Sequence, residues 1–405
     1  MMPWIHFHVT QYGTVTPCCV APWDKESAFG IISEQSIESI WNSDAIKTFR
    51  LKMLKGEADK RCERCYVMEK GGTLSLRNTI NNLYYKNHKE RIAATNPDGF
   101  LPKYKPVYLD IRFSNKCNFK CRICGPHSSS AWHDDAVQLG ELPNSGNPIT
   151  KSITDAENFF SQLKPWLHEL QEVYFAGGEP LFIDEHYALL DELLKAGRDD
   201  VLLRYSTNFS SLDYEKGKAL DYWKKFKKVV VTASLDDSGE RAELHRKGQN
   251  WQLTERNIRR LKEEASHVHL MASCTISVWN IWTVCEFHRY LCESGFIEAD
   301  DFVPNILEQP EYYSIKVLPP EIKKSLSIKL KEHARWVRAR PDGHPMIKMW
   351  LAMEFEKIAD SQFAEDRTAL LPQLLEKIRQ LDKIRREDTF KIIPELAKLL
   401  PPVSP

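Results

Sequence analysis

"PVYLDIRFSNKCNFKCRICG", residues 106–125, opens as an extended segment and runs straight into three cysteines, Cys117, Cys121 and Cys124. The first nine residues read as a strand. The cysteines follow the spacing C-x3-C-x2-C, and no fourth cysteine lies nearby to complete a tetrahedral metal site. Three thiolates without a fourth fit a zinc site closed by a distant histidine. They also fit a [4Fe–4S] cluster with one iron left open. Three merely buried thiols would not need this spacing directly after a strand.

The 405-residue chain is long enough for one large domain plus one or two small ones. Hydrophobic residues make up 42%, enough for a sizeable core. Lys+Arg and Asp+Glu are both 56, a balance that argues against a nucleic-acid-coating or membrane-surface protein. The basic run "KKFKK" (224–228) reads as solvated helix ends. No apolar stretch has the length of a membrane-spanning helix. "MMPWIHFHV" has none of the features of a signal peptide, so a cytoplasmic location is expected. Ten cysteines in that compartment point to metal or redox chemistry rather than structural disulfides.

Four divisions are expected: a cysteine-rich N-terminal module (1–75), a connector (76–105), an α/β domain (106–320) and a helical C-terminal region (321–405). In the module, "IESIWNSDAIKTFRLKMLKG" (37–56) reads as one helix with Ile37, Ile40, Trp41, Phe49 and Leu51 inward, ended by Gly56. The connector reads as helical around 74–95. From 106 onward strands alternate with helices. The strands fall at 106–114, 172–178, 201–208, 228–237 and 267–277, with a last one at 312–319. Six such units predict an α/β fold, a partial (β/α)6 TIM-like barrel, with functional residues at the C-terminal strand ends.

"CNFKCRIC" after a strand resembles the cluster loop of radical S-adenosylmethionine (SAM) enzymes. In that family three cysteines hold a [4Fe–4S] cluster, and the amino and carboxylate groups of SAM chelate the fourth iron. The reduced cluster cleaves SAM to a 5′-deoxyadenosyl radical, which abstracts a hydrogen atom from substrate. Further segments agree in order. "GGEP" (177–180) resembles the family's glycine-rich SAM motif, which implicates Gly177, Gly178 and Glu179. "STN" (206–208) and "SLDD" (234–237) resemble the ribose- and carboxylate-contacting segments, with Ser206, Asn208, Ser234 and Asp236. "HRKGQNW" (245–251) resembles the basic segment that follows, where Arg246 would pair with the SAM carboxylate. One departure is Ile123, where the family commonly has an aromatic residue near adenine; Phe119 is expected to pack beneath the loop.

"YGTVTPCCVAPW" (12–23) through "CERCY" (62–66) resembles the auxiliary-cluster module called SPASM, or its shorter form, twitch. The module usually follows the barrel; here it precedes it. The resemblance makes Cys18, Cys62 and Cys65 ligands of a second Fe–S cluster. Cys19 is open, because neighbours on an extended chain point to opposite sides. The family's first ligand would fall at or before Met1–Pro3, so either the true start lies upstream, or Cys19, His6 or His8 fills in. Zinc on Cys18, Cys19, Cys62 and Cys65 is the alternative.

Cys285 and Cys292 share a helix face and read as core. Cys274 reads as core too, with a barrel-facing thiol as the alternative. Asp110 and Arg112 alternate on the first barrel strand and form a candidate internal ion pair. The resemblance implies a peptide or protein side chain as substrate, with a sugar or other small metabolite second. It also implies an electron donor such as a flavodoxin or ferredoxin. A zinc-bearing scaffold on a degenerate barrel is the reading from another class.

Overall fold

The computed structural model describes residues 1–71 and 74–400; the last five residues of the expected C-terminal region lie outside them. The chain divides into two compact units. The first comprises residues 1–116, 149–206 and 213–229, and the second residues 117–148, 207–212 and 230–405.

The first unit holds β1 (His6–Val9), β2 (Thr14–Thr16), β3 (Gly30–Ile31), β4 (Tyr108–Ile111), β5 (Glu172–Phe175) and β6 (Leu202–Thr207, whose last residue falls in the second unit). They lie side by side in the order β6-β5-β4-β1-β2-β3. β4, β5 and β6 are parallel, and β1 joins β4 in parallel with His8 opposite Asp110. A hairpin of β7 (Asp213–Tyr214) and β8 (Gly217–Lys218) completes the unit's strands. The parallel runs are joined by the helices Ala156–Leu163 and Asp184–Lys195, as parallel pairs require.

The second unit holds β9 (Lys228–Ser234, its body from Val230 onward), β10 (His269–Ile276) and β11 (Phe302–Ile306), all parallel, in the order β11-β10-β9. Its helices include Gly239–His245, Trp251–Glu264 and Val284–Glu293. Five further helices from Pro320 to Ala397 form the helical C-terminal region. The strand–helix succession in both units makes the fold α/β with parallel sheet, the class expected of a partial (β/α)6 barrel.

The strands alternate cleanly. On β6, Leu203, Tyr205 and Thr207 are buried, while Leu202, Arg204 and Ser206 are only half-buried. On β10, Leu270, Ala272, Cys274 and Ile276 are buried and the intervening Met271, Ser273 and Thr275 are half-buried. Period-2 alternation puts the apolar set on one face and leaves the other for polar residues. Ser206 and Ser234 both stand on such half-buried faces.

Two readings of the sequence need correction. Residues 37–56 form two helices, Ile37–Trp41 and Asp44–Leu54. Ser43 breaks them by capping the second, accepting from the Ile46 N–H and donating to the Phe29 carbonyl. Leu51 is half-buried there, whereas Ile37, Ile40, Trp41 and Phe49 are buried. The last strand is not 312–319, which folds as two 3-10 turns, Glu311–Tyr313 and Ile315–Val317. Its place is taken by β11, read past because of Pro304, a residue that sheets tolerate at an edge.

Candidate cluster and SAM site

Within the second unit the cysteine loop is held by backbone on one side. Lys120 N–H donates to the Lys247 carbonyl at 2.9 Å, and Arg122 N–H to the His245 carbonyl at 2.8 Å. The basic segment 245–247 is thus zipped to the cluster loop. Phe119 is buried under it, as expected. The indole N–H of Trp132 donates to the Cys121 carbonyl at 2.8 Å. Several donors point at sulfur: the Phe119 N–H at Cys117 Sγ (3.4 Å), Asn208 Nδ2 at Cys117 Sγ (3.9 Å) and Arg246 Nη1 at Cys121 Sγ (3.9 Å). Burial pushes the Cys124 thiol up to about 12, and Cys121 and Cys117 add to it as like charges. The Cys121 thiol is also raised by burial, against the pull of Arg246.

Arg246 is not free to swing. Its Nε lies 2.8 Å from Asp236 Oδ2, and Asp236 Oδ1 accepts from the Thr275 N–H at 2.7 Å. Burial works against the Arg246 charge, but Asp236 and Cys121 outweigh it and raise its pKa. Asp236 therefore orients Arg246, a partnership that sequence spacing did not reveal. Asn208 donates to Asn118 Oδ1 at 2.8 Å and accepts from the Ser210 N–H, tying residues 208–210 to the cysteine loop. His245 was also missed. It is buried, its Nδ1 lies 3.4 Å from Asp236 Oδ2, its Nε2 has no hydrogen-bond partner, and burial pushes its pKa down to about 4. Its one sequence signal was its place beside Arg246.

In the first unit, Gly177 and Gly178 both have positive φ, +79° and +52°. A Cβ on Gly178 would lie 2.3 Å from the Lys116 carbonyl oxygen, and one on Gly177 2.7 Å from the Arg112 side chain. Glu179 N–H donates to that same Lys116 carbonyl, and its carboxylate caps the following turn at the Leu181 N–H. The glycines are thus required by close backbone approach. Gly178→Ala is expected to cost about 3 kcal/mol, from a left-handed non-glycine residue plus displacement of the 115–116 backbone. Urea unfolding measures it; a loss below about 1 kcal/mol would contradict the close approach.

The same unit separates Cys18 from Cys19. Cys18, Cys62 and Cys65 line one cavity of about 560 Å³, together with Arg61, Arg77 and apolar side chains such as Trp4 and Phe49. Burial pushes the Cys18 thiol up to about 12, with Cys19 and Cys65 contributing. Cys19 instead senses Asp110 and Arg112; burial and Asp110 raise it to about 11 while Arg112 opposes them. Asp110 and Arg112 form the buried ion pair considered above, at 2.9 Å, with His6 and His8 3.7 and 3.8 Å from Asp110 Oδ2. Burial raises the Asp110 pKa, and His8 and Arg112 more than reverse it. Alanine at Cys18, Cys62 or Cys65 is therefore expected to remove auxiliary iron, whereas Cys19→Ala keeps it. Iron counting on each variant decides; equal losses for Cys18→Ala and Cys19→Ala would contradict the division.

Residues 111–291 match the radical SAM superfamily, and residues 1–66 match SPASM, an iron–sulfur cluster-binding domain. The chain carries a radical SAM domain and, at its N-terminal end, an SPASM module. Its cofactors are a [4Fe–4S] cluster, SAM and an auxiliary Fe–S cluster. No curated protein matches the chain. Among solved structures, native anSMEcpe with bound AdoMet is 21% identical, with a TM-score of 0.40, over 56% of this chain and 59% of that one. Native anSMEcpe with bound AdoMet and Cp18Cys peptide is 20% identical, TM-score 0.40, over 56% and 58%. Streptococcus suis SuiB bound to S-adenosylmethionine is 15% identical, TM-score 0.37, over 82% and 69%. The chain thus spans less than two thirds of the length of anSMEcpe.

The residues fit these cofactors. Among the described residues no three His, Cys, Asp or Glu side chains are gathered around a single metal ion. A cluster does not require that, since each thiolate takes its own iron. The raised thiols need a cationic partner to ionise, and N–H donors already face the sulfurs, as is usual around protein-bound clusters.

Proposed function

We propose that Cys117, Cys121 and Cys124 hold the SAM-cleaving [4Fe–4S] cluster and that the chain abstracts a hydrogen atom from a peptide or protein side chain. When bound, cluster and SAM supply the 5′-deoxyadenosyl radical. The chain's residues bind, orient and exclude water. Gly177, Gly178 and Glu179 offer backbone to the SAM amino group, and Ser206, Asn208, Ser234 and Asp236 offer polar groups to its ribose and carboxylate. Arg246, braced by Asp236, is suited to the carboxylate. Cys18, Cys62 and Cys65 hold the auxiliary cluster. The observation that carries this reading is the cysteine loop itself: three thiols within eight residues, backed by Phe119 and zipped to the segment that bears Arg246.

The SPASM match supports a peptide substrate, by the resemblance to auxiliary-cluster enzymes. The electron donor on this reading is a flavodoxin or ferredoxin. All ten cysteines are free, which suits a reducing cytoplasm; no helix among the described residues is long and apolar enough to cross a membrane. The functional divisions on this reading are the auxiliary module (1–75), connector (76–105), SAM barrel (106–320) and helical region (321–405).

The test is anaerobic reconstitution followed by iron counting, electron paramagnetic resonance and assay of 5′-deoxyadenosine with a low-potential reductant. A brown protein that forms deoxyadenosine supports the reading. A colourless zinc protein without SAM turnover would overturn it.

A further inference from the structure

The cluster loop is gripped by a part of the chain far outside the superfamily match. The helix Leu371–Arg385 and the turn after it belong to the same compact unit as the cysteines. Arg122, between Cys121 and Ile123, is fully buried and lies over the Trp279 ring at 4.9 Å. Its Nη2 donates to Asp382 Oδ1 at 2.7 Å and to Glu387 Oε2 at 2.5 Å. Glu387 also pairs with Lys247 at 2.9 Å, in the segment zipped to the loop. On the other side of the loop, Arg385 Nε donates to Asp135 Oδ2 at 2.7 Å, and Lys120 reaches Asp135 Oδ1 at 2.7 Å. The Arg385 guanidinium lies 4.7 Å over Trp132, whose N–H holds the Cys121 carbonyl.

Two features set Arg385 apart from an ordinary buried ion pair. Its side chain has no exposed surface, yet Nη1 and Nη2 have no hydrogen-bond partner. Leaving buried cationic N–H groups unmet is costly unless negative charge stands nearby. Asp135 supplies one such charge, 2.7 Å from Nε, and the guanidinium lies over Trp132, whose N–H holds the carbonyl of the buried Cys121. Counting the groups named, Lys120, Arg122, Lys247 and Arg385 face Asp135, Asp382 and Glu387, leaving one positive charge in excess, where three thiolates would be held.

We propose that the helix Leu371–Arg385 is a working part of the SAM-cluster site, with Arg385 and Asp382 as positioning residues that hold the loop and balance the charge of its thiolates. This rests on the assignment of the cluster to Cys117, Cys121 and Cys124. Outer partners of metal ligands commonly change affinity 10–100-fold when removed. A positive charge near a cluster favours its reduced form, so losing one disfavours reduction.

The experiment compares the reconstituted full chain with Arg385→Gln, Arg385→Lys and Asp382→Asn. It follows iron loss to a chelator and the electron paramagnetic resonance signal of the reduced cluster at one fixed solution potential. Arg385→Gln is expected to lose cluster iron at least tenfold faster and to show a reduced fraction at least threefold smaller. Arg385→Lys restores the reduced fraction, and Asp382→Asn speeds iron loss without lowering it. Wild-type iron loss and signal in Arg385→Gln would overturn the proposal. So would equal behaviour of the Lys and Gln variants, even if both melt early. Failure of the wild-type chain to load a cluster on these cysteines would instead sink the cluster assignment.

Discussion

Alanine at Cys117, Cys121 or Cys124 is expected to reduce 5′-deoxyadenosine formation to that of a protein-free control. On the proposed assignment each thiolate anchors one iron and the cluster takes only these three protein ligands, so two would not hold it with an open fourth position. Each substitution should also remove the corresponding paramagnetic signal while the auxiliary signal persists, because Cys18, Cys62 and Cys65 line a separate cavity. Cys285→Ala and Cys292→Ala are the controls. Both thiols are buried on the helix Val284–Glu293, and their removal should cost about 1 kcal/mol of stability with iron and turnover unchanged. Deoxyadenosine formation persisting in any of the three loop variants would refute the assignment.

Acidification is expected to unfold the protein steeply. Burial pushes His186 and His288 down to about 3 and His245 down to about 4. The unfolded chain takes up these protons near pH 6.5, the folded chain only well below, so the unfolded state binds more protons and stability falls as pH falls from 6.5. Each histidine contributes a slope of up to about 1.4 kcal/mol per pH unit, hence roughly 4 kcal/mol per unit for the three near pH 5. Asp237 works the other way. Burial raises it to about 6, so between roughly 4 and 6 the folded state holds its proton and gains stability on acidification. Asp237 alone offsets about a third of the slope from the three histidines. Urea unfolding at pH 7.5, 6.5, 5.5 and 4.5 measures the balance, and His186→Phe should flatten it by about one proton. A midpoint unchanged or rising toward pH 4.5 would contradict the burial of these imidazoles.

Much of the site could be read directly because it is local. The cysteine loop spans eight residues, the glycine segment sits where β5 ends and the basic segment begins where the helix Gly239–His245 ends, so spacing and order single them out as candidates. The strand pattern was legible wherever alternation was clean, as on β6, β9 and β10. It failed at β11, where Pro304 masks an edge strand and the alternating 312–319 segment curls into 3-10 turns.

What the sequence by itself determined is a pattern: three thiols, two glycines and a basic residue, in the order on which the proposed cluster and SAM assignment rests. What only the tertiary structure decided is who supports them. Cys18 and Cys19 are chemically identical neighbours, and only the path of the chain sends one into the cavity and the other toward Asp110 and Arg112. Asp236 bracing Arg246, β1 lying against β4, and Asp382 gripping Arg122 join residues 10, about 100 and 260 positions apart. Ligand spacing is set by the short reach of the backbone and is written in consecutive residues. Ion pairs and strand partners depend on which distant surfaces the hydrophobic core brings together, and no local pattern records that.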